Sequence, residues 1–557
     1  MTEGRKLNVL VTCAWPYVYT IPHLGNILHP LSADVIARYY RLKGNNVVFV
    51  SGSDEHGTPI EVEAIKQNKK PIELTNEMHA KIKDLFEKWE ISFDNYTRTE
   101  SEIHKKFVME FYKKVYQNGY LFKKKITQLF CENCSRFLPD RFVIGNCPYC
   151  GYDKARGDQC ENCGRLLEPT ILIKPRCAIC GNEPVLKESE HFFIDFPRLK
   201  EKVENYIQNN PYFDKRIKTI SLNYIKDEFQ ARALTRDNKW GVPAPFEEAK
   251  GKTIYVWFEA VLGYISATIE YFKSLDEWKN FWFDRNALTF YFIGKDNIPF
   301  HAIIFPALLM ANGEGYNLPH VISATEFLTF EKKKFSKSQG IGIWIDEAIS
   351  ILDADYWRYA LIYNRPEERD TDFSVSNFVE IVNSQLNDTL GNFIYRVLLF
   401  IKRYYNYKVP IPKEINQEAE ELLNKRIRLV DEVDEAMKQV KLREALNLSM
   451  NLAREGNRFL NEMKPWEHVN ENSEIAKNVI YACFNVICTL SVILYPFIPS
   501  SSLKIREQLN LRKEFLWEDA KKLINEEHVI NEPKIIFNKT TEKEIHQKLK
   551  EIRKIGE

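Results

Sequence analysis

The chain has 557 residues, of which 44% are hydrophobic and 28% charged, the balance of an ordinary soluble globular protein, so disorder is excluded as its main state. At about 150 residues per domain this length predicts three or four domains, which excludes a single small module. With 78 Lys and Arg against 77 Asp and Glu the net charge is +1; that sum points to no polyanionic partner and excludes none, because a local basic patch is what grips phosphate.

Residues 7–13 (LNVLVTC) form a continuous apolar run, as expected of a strand buried on both faces. That run is too short for the core of a signal peptide. Residues 28–42 carry apolar side chains at helical spacing and stop at Gly44, a helix breaker, and residues 47–50 read as a second buried strand. Strand and helix go on alternating, which predicts a parallel sheet with helices on both faces. A Cys-rich segment interrupts the pattern from about Gly119 to about Asp227. The alternation resumes with a strand at 253–257 and another at 289–294 (TFYFIG) that leads into a helix. From about Ser376 strands vanish and long amphipathic helices run to the end. Residues 479–495 are apolar enough to raise the question of a membrane, but Asn485, Thr489 and Ser491 lie within them and Pro496 and Pro499 follow, so a buried bundle helix is expected and no membrane partner. The charged last helix (KEIHQKLKEIRK) reads as a solvated face.

Eight of the eleven cysteines form four Cys-x-x-Cys pairs: Cys131/Cys134, Cys147/Cys150, Cys160/Cys163 and Cys177/Cys180. Two thiolates three residues apart can face one ion, and four satisfy tetrahedral zinc, so eight ligands allow two ions. Such a cluster in a chain without a secretion signal predicts bound metal in a reducing, cytoplasmic compartment. No pair offers an open coordination position or a neighbouring catalytic base, so the metal is expected to be structural. Cys13, Cys483 and Cys488 are left over and read as packing.

Two short strings carry chemistry. Pro22-His23-Leu24-Gly25-Asn26 falls in the turn between the first strand and its helix, where a helix N-terminus offers backbone N–H groups and positive dipole to phosphate. By itself such a string is as well explained by a capped helix start. Lys334-Phe335-Ser336-Lys337-Ser338, followed by Gln339-Gly340, gathers two ammonium groups, two hydroxyls and a glycine in a short loop suited to clamp a triphosphate. Its bland counterpart is a solvated basic run, since Lys332 and Lys333 precede it.

In this order the two strings resemble the paired nucleotide motifs of class I aminoacyl-tRNA synthetases, written HIGH and KMSKS. The resemblance narrows to the methionyl-tRNA synthetase family over nearly the whole chain. It is carried by Ala14-Trp15-Pro16-Tyr17, the run Gly52 to Pro59 (GSDEHGTP), Thr235-Arg236-Asp237 with Trp240-Gly241, the run Tyr255 to Ala260 (YVWFEA) with Gly263-Tyr264, and Gly294-Lys295-Asp296 with His301. It implies an α/β Rossmann-like catalytic domain split by a zinc-binding insertion and followed by an all-α helical-bundle anticodon-binding domain. The segments implied are 1–118 and 231–325 for the catalytic halves, 119–230 for the insertion, 326–385 for the KMSKS and stem-contact region, and 386–557 for the bundle. It also implies catalytic roles for His23, Gly25, Asn26, Lys334 and Lys337, with Ser336 and Ser338 joining His23, Asn26 and Lys337 on ATP. For methionine it implies Ala14, Trp15, Tyr17, Asp54, Val256, Trp257, Ala260, Tyr264 and His301. Aromatic edges around a thioether suit such a ligand at roughly 0.3–1.5 kcal/mol per contact. Asn26 stands where the motif's name has a second His; it still donates hydrogen bonds but carries no charge.

The same resemblance joins Cys147 and Cys150 to Cys160 and Cys163 around an inner zinc, leaving Cys131, Cys134, Cys177 and Cys180 for a second. It assigns Asn392, Arg396 and Trp466 to the anticodon; Asn392 and Arg396, four apart on one helix, project from one face, and Pro465 is expected to end one helix with Trp466 beginning the next. Unpaired bases do stack on aromatic and guanidinium planes. The implied partners are tRNA(Met), ATP with magnesium and L-methionine, and a monomer is expected. Activation of Leu, Ile, Val or Cys is the alternative within the class, although the insertion is short for an editing domain. A non-catalytic tRNA-binding paralogue or a small nucleotidyltransferase is the alternative outside it.

Overall fold

The computed structural model describes residues 6–555, apart from 158, 159, 161, 164, 166, 274, 338, 339 and 470–472. Its first strand, β1 (Asn8–Cys13), feeds the helix α1 (Leu24–Leu42) and returns as β2 (Asn46–Ser53). A helical crossover leads to β3 (Asn95–Arg98). The chain then leaves the sheet through the long hairpin of β4 (Leu121–Cys131) and β5 (Val185–Ile194), which pair antiparallel from Leu121↔Ile194 to Phe130↔Val185. It comes back as β6 (Leu288–Gly294) and β7 (Val321–Thr325). The five sheet strands lie in the order β7-β6-β1-β2-β3, all parallel.

Residues Val9 to Cys13 of β1 are almost wholly buried, as their unbroken apolar run requires of a central parallel strand. The chain runs from β1 toward β2 on one side and toward β6 on the other. The carboxyl ends of β1 and β6 therefore make a topological switch point, where open α/β sheets leave a crevice for ligands.

Helix α1 begins at Leu24, earlier than its apolar spacing alone indicates, because His23 caps it. The strand expected at 253–257 covers only Thr253–Ile254; at Tyr255 the backbone turns, and Val256–Ala260 is helical. Here β-prone residues yield to tertiary context: the Tyr255 N–H bonds the Leu234 carbonyl while its own carbonyl accepts from Phe258 N–H.

Beyond Thr371–Phe373 the described residues form helices Asn392–Tyr405, Gln417–Lys438, Leu442–Met463 and Glu474–Ile493, among others. Glu474–Ile493 is long and apolar enough to cross a membrane, yet nearly all of it is buried against its neighbours. Its polar groups are satisfied there: Thr489 Oγ1 donates to the Ala520 carbonyl at 2.6 Å, and Asn485 Oδ1 accepts from Ile524 N–H at 2.9 Å. That is the chemistry of a bundle core. Trp466 does not open the next long helix; it sits in a short 3-10 turn, Pro465–His468, after Lys464 has taken a left-handed conformation. The last helix, Glu542–Ile555, is not merely solvated either. Ile545 and Leu549 are buried, Lys548 donates to the Ile351 carbonyl, and Arg553 pairs with Glu347. Sequence periodicity cannot reveal such partners, which lie some two hundred residues away.

One buried ion pair ties the halves together. Asp34 of α1 meets Arg358 at 2.6 Å and Arg38 at 2.8 Å, with Asp34 and Arg358 wholly buried. Arg358 also donates to the carbonyls of Trp89, Pro496 and Phe497.

Candidate active site

A cavity of about 370 Å³ opens at the switch point. Its floor is the segment Cys13 to Tyr17 leaving β1, with Ser51 and Asp54 at the end of β2; Asp296 and Asn297 after β6 close the far side. Aromatic walls come from Trp257 and Tyr264 on two short helices and from Phe300 and His301, which share a wide π-helical turn, Phe300–Ile304. Such turns set neighbouring side chains at angles a regular helix does not.

The hydrogen bonds fix the protonation of this wall. His301 Nδ1 lies 3.0 Å from the Asn297 carbonyl, which can only accept, so Nδ1 carries the proton. Burial lowers His301 to about 4, so the ring is neutral. Its Nε2 must then accept from the Tyr264 hydroxyl at 2.8 Å. Opposite, Trp257 Nε1 donates to the Tyr17 hydroxyl at 2.6 Å. Trp15 stands edge-on to Tyr264, with centroids 6.4 Å apart and planes at 87°. Its ring fits between two backbones only because both present glycine: a Cβ on Gly263 would lie 2.6 Å from the indole, and one on Gly52 would lie 2.7 Å from it.

Asp54 is 5% exposed and lines the same cavity. Burial, then the negative charge of Glu259, pushes its carboxyl well above the usual range. Behind it runs a buried chain of titratable groups. His56 Nδ1 meets Glu259 Oε1 at 2.5 Å and its Nε2 meets Glu100 Oε1 at 2.9 Å, while the other Glu259 oxygen accepts from His104 Nε2 at 2.9 Å. With carboxylates on both nitrogens His56 is an imidazolium; against burial, the charge of Glu259 lifts it to about 10. Its backbone N–H reaches Asp54 Oδ1 at 3.4 Å.

The two strings expected at phosphate meet at the mouth of this cavity. His23 is the N-cap of α1: its Nδ1 accepts from Gly25 N–H at 3.1 Å, and its own N–H donates to Asn26 Oδ1 at 3.1 Å. Nδ1 being an acceptor, the imidazole proton is on Nε2. Burial lowers His23 to about 4. The ring of Phe335 stacks on His23 at 4.1 Å with planes 4° apart, and Lys337 Nζ donates to Thr20 Oγ1 at 2.9 Å. Ser336 and Ile341 bond each other's backbones at 2.9 Å, folding the loop into a tight hairpin. Lys334 is exposed on this hairpin, and its charge helps hold down the carboxyl of Asp296, which burial raises. Ser338 lies outside the described residues.

Eight of the nine residues expected around methionine thus line one cavity. Val256 does not: it lines an adjoining cavity of about 120 Å³ with His56, Arg236 and Trp240, reached past Tyr17 and Trp257. On the helix that begins at Val256 successive side chains project about 100° apart, so Trp257 borders both cavities and Val256 only the second. Residues that sequence reasoning missed include His29, Asn297 and Phe300. His29 follows Asn26 by three positions on α1, and Asn297 and Phe300 belong to the stretch between Asp296 and His301, so their spacing is the signal that could have found them.

The cysteines form two tetrads, each with all four sulfurs within 4.8 Å of one another: Cys131, Cys134, Cys177 and Cys180, and Cys147, Cys150, Cys160 and Cys163. The pairing is nested, the outer tetrad joining the ends of β4 and the strand Ile173–Cys177 around the inner. Sulfur separations are 3.5 Å for Cys131 and Cys180, 3.9 Å for Cys134 and Cys177, 3.9 Å for Cys147 and Cys163, and 3.6 Å for Cys150 and Cys160. A tetrahedron with zinc–sulfur bonds of about 2.3 Å has edges near 3.8 Å, so both tetrads could hold zinc. Backbone N–H groups already favour one thiolate in each, lowering Cys150 to about 6 through Tyr152 and Cys180 to about 6 through Asn182.

In the helical domain Asn392 and Arg396 are exposed on one face of Asn392–Tyr405. The Arg396 guanidinium lies 5.5 Å from the ring of Trp466, which is 43% exposed, and donates to Asn461 Oδ1 at 2.9 Å. Two side chains of one helix and one from the distant Pro465–His468 turn thus share one surface.

Comparisons with known proteins agree along the chain. The family model described as tRNA synthetases class I (M) matches residues 9–398, and that of the anticodon binding domain of methionyl tRNA ligase matches 409–553. A methionine–tRNA ligase of Caldivirga maquilingensis is 50% identical over 558 residues, covering 99% of this chain and 95% of its own. One of Pyrobaculum aerophilum is 49% identical over 551 residues, covering 98% and 97%. Among solved structures, the Mycobacterium tuberculosis methionyl-tRNA synthetase bound by methionyl-adenylate is 21% identical and similar in fold, with a TM-score of 0.80 over 96% of this chain and 100% of that one.

Proposed function

Since the chain belongs to the class I methionyl-tRNA synthetase family, we propose how its side chains divide the work of that activity. The enzyme is a methionine–tRNA ligase: it activates L-methionine with ATP to methionyl-adenylate, releasing pyrophosphate, and transfers the methionyl group to tRNA(Met), releasing AMP. The methionine carboxylate is already ionised when it attacks the α-phosphate, so the first step needs alignment and charge stabilisation more than a general base.

In our reading Asp54 takes the substrate ammonium. Tyr17, Trp257, Tyr264 and His301, with Ala14, Trp15 and Ala260, enclose the thioether, and Val256 braces this wall from behind. The neutral His301–Tyr264 pair suits an uncharged side chain and offers no ion to compete for Asp54. His23 Nε2–H and the Asn26 amide face the phosphates, and Lys337 meets the charge that develops on the leaving pyrophosphate, with Lys334, Ser336 and Ser338 beside it. Gly25 leaves room for close approach. Magnesium enters with the nucleotide. Asn392, Arg396 and Trp466 read the anticodon. Each cysteine tetrad holds one structural zinc that fixes the fold of the insertion and takes no part in either step. Two tetrads of reduced thiols suit the cytoplasm, and the enzyme acts as a monomer.

The observation that carries this reading is the stack of Phe335 on His23, which brings the two phosphate strings together at the mouth of the Asp54 cavity. Lys337→Ala tests it. Methionine-dependent pyrophosphate exchange should fall by roughly 100- to 1,000-fold, the loss of about 2.7–4 kcal/mol typical of one transition-state contact, with methionine KM nearly unchanged. Lost methionine binding at an unchanged chemical rate would contradict the assignment.

A further inference from the structure

The exit of the Lys334–Lys337 hairpin is gripped from two sides. On one side it pairs with the start of α1: Leu24 N–H donates to the Ile343 carbonyl at 3.1 Å, and Ile345 N–H donates to the Pro22 carbonyl at 3.0 Å. On the other side stands the last helix of the chain. Arg553 Nε donates to Glu347 Oε1 at 2.7 Å and Nη2 to Glu347 Oε2 at 3.0 Å, while Nη2 also donates to the Gly342 carbonyl at 2.7 Å. Glu347 is itself the cap of the following helix, accepting from Trp344 N–H at 3.0 Å. Gly342 lies directly under Phe335: its φ is +132°, and a Cβ there would come within 2.5 Å of the Phe335 ring. Only one residue therefore separates the guanidinium from the ring that stacks on His23.

The entry limb is held by other contacts: Leu328–Phe330 pairs with Thr371–Phe373, and Lys332 N–H donates to Asp372 Oδ1 at 2.7 Å. Lys332, Lys333, Lys334 and Lys337 are exposed, and Lys337 reaches the body of the protein through its bond to Thr20. With the entry limb tied to Thr371–Phe373 and the tip exposed, the height of the exit over His23 is set by its own clamp.

We propose that Arg553 is a positioning residue for the ATP-facing hairpin, through which the helical domain sets the hairpin's place over His23. The helix that carries it is docked by Ile545 and Leu549 at its buried face, so Arg553 is delivered at a fixed height against Gly342. A planar guanidinium can grip both carboxylate oxygens and a carbonyl at once; an ammonium cannot hold the three in that geometry. This rests on reading residues 334–338 as the ATP-facing hairpin, which Lys337→Ala tests separately.

The experiment compares Arg553→Ala, Arg553→Lys and Lys548→Ala in the full chain. Lys548 lies on the same helix and bonds the Ile351 carbonyl but does not touch the hairpin. Arg553→Ala should lower kcat for methionine-dependent pyrophosphate exchange by about 10- to 100-fold, the cost of a misplacement of about 1 Å, with methionine KM within about twofold. Trypsin should cleave faster after Lys332 to Lys337. Arg553→Lys, which keeps the charge and the stem, should lose most of the same rate, and Lys548→Ala should lose little. The proposal is overturned if Arg553→Ala keeps the wild-type rate and cleavage, if Lys548→Ala loses as much as Arg553→Ala, or if the loss falls on methionine KM alone. Should Arg553→Ala fail to fold, wild-type kinetics in Arg553→Lys would overturn it as well. If Lys337→Ala is also silent, the reading of the hairpin fails rather than the clamp.

Discussion

Gly263→Ala tests how the cavity proposed for methionine is built. The added Cβ would meet three atoms of the Trp15 indole at 2.6, 2.7 and 3.0 Å, where carbon pairs rest at about 3.5–4.0 Å, so the ring must shift by about 1 Å. It cannot shift toward β2, because Gly52 already lets the backbone there approach to the limit. It must slide along its own plane, toward Tyr264 on one side or His104 on the other. Overpacking of this kind costs about 1–3 kcal/mol. If that cost falls on the cavity, methionine KM should rise by roughly 5- to 150-fold, while ATP KM stays near wild type because His23, Asn26 and Lys337 are untouched. Pyrophosphate exchange with each substrate varied in turn measures both. Trp15→Leu in the same chain frees the space the new methyl needs, so the double variant should lose less than the two single losses combined. Unchanged methionine KM together with an unchanged melting temperature in Gly263→Ala would refute the slot.

Three further outcomes follow from the same physics. Asp54 is raised by burial and by Glu259, so it charges late as pH rises. Methionine KM should therefore fall as pH goes from acidic to neutral, and Asp54→Asn should raise KM and flatten that profile; a profile unchanged in the variant would count against the assignment. Asp34 is held at about 2, against an ordinary 3.8, by Arg38 and Arg358 in spite of its burial. Because its folded value is depressed, it contributes roughly 2 kcal/mol that is present above about pH 4 and lost as pH falls toward 2; Arg358→Met should remove about 3 kcal/mol and blunt this acid limb, as read by urea unfolding against pH. Metal analysis of the purified chain should give two zinc ions, falling to one in Cys147→Ser, with pyrophosphate exchange largely retained in the variant; a wild-type content of one or none would show that one or both tetrads are not zinc sites.

What the sequence made legible was local. The buried strands at β1 and β6 could be read because a central parallel strand needs unbroken apolar residues, and the four Cys-x-x-Cys pairs could be read because zinc fixes ligand spacing, whereas their grouping into two tetrads came from the family resemblance. The bundle identity of Glu474–Ile493 was legible from Asn485, Thr489 and Ser491, polar groups that a lipid environment would leave unsatisfied. The misreadings have one cause: they concern where a side chain goes after its backbone turns. Val256 follows a β-prone residue into a helix and faces a second cavity, Trp466 is displaced by the left-handed turn at Lys464, and Arg553 finds Glu347 across 206 residues. No period or motif encodes such pairings, since each depends on two distant segments arriving at one place.

The substitution at Asn26 shows how the two levels meet. In the helix cap Asn26 spends its Oδ1 on the His23 N–H, and His23 spends its Nδ1 on the Gly25 N–H. What remains is outward donor capacity, the Nε2–H of one and the amide NH2 of the other, aimed where the helix dipole already favours an anion. A histidine at position 26 would divide the same way, one nitrogen accepting and the other donating. The exchange therefore preserves the inventory of one inward acceptor and an outward donor, and it omits only a charge that His23, buried and lowered to about 4, does without as well. In the proposed reading, neutral donors on a capped helix need no reorganisation when the nucleotide arrives, and the positive charge is left to Lys334 and Lys337 of the hairpin opposite.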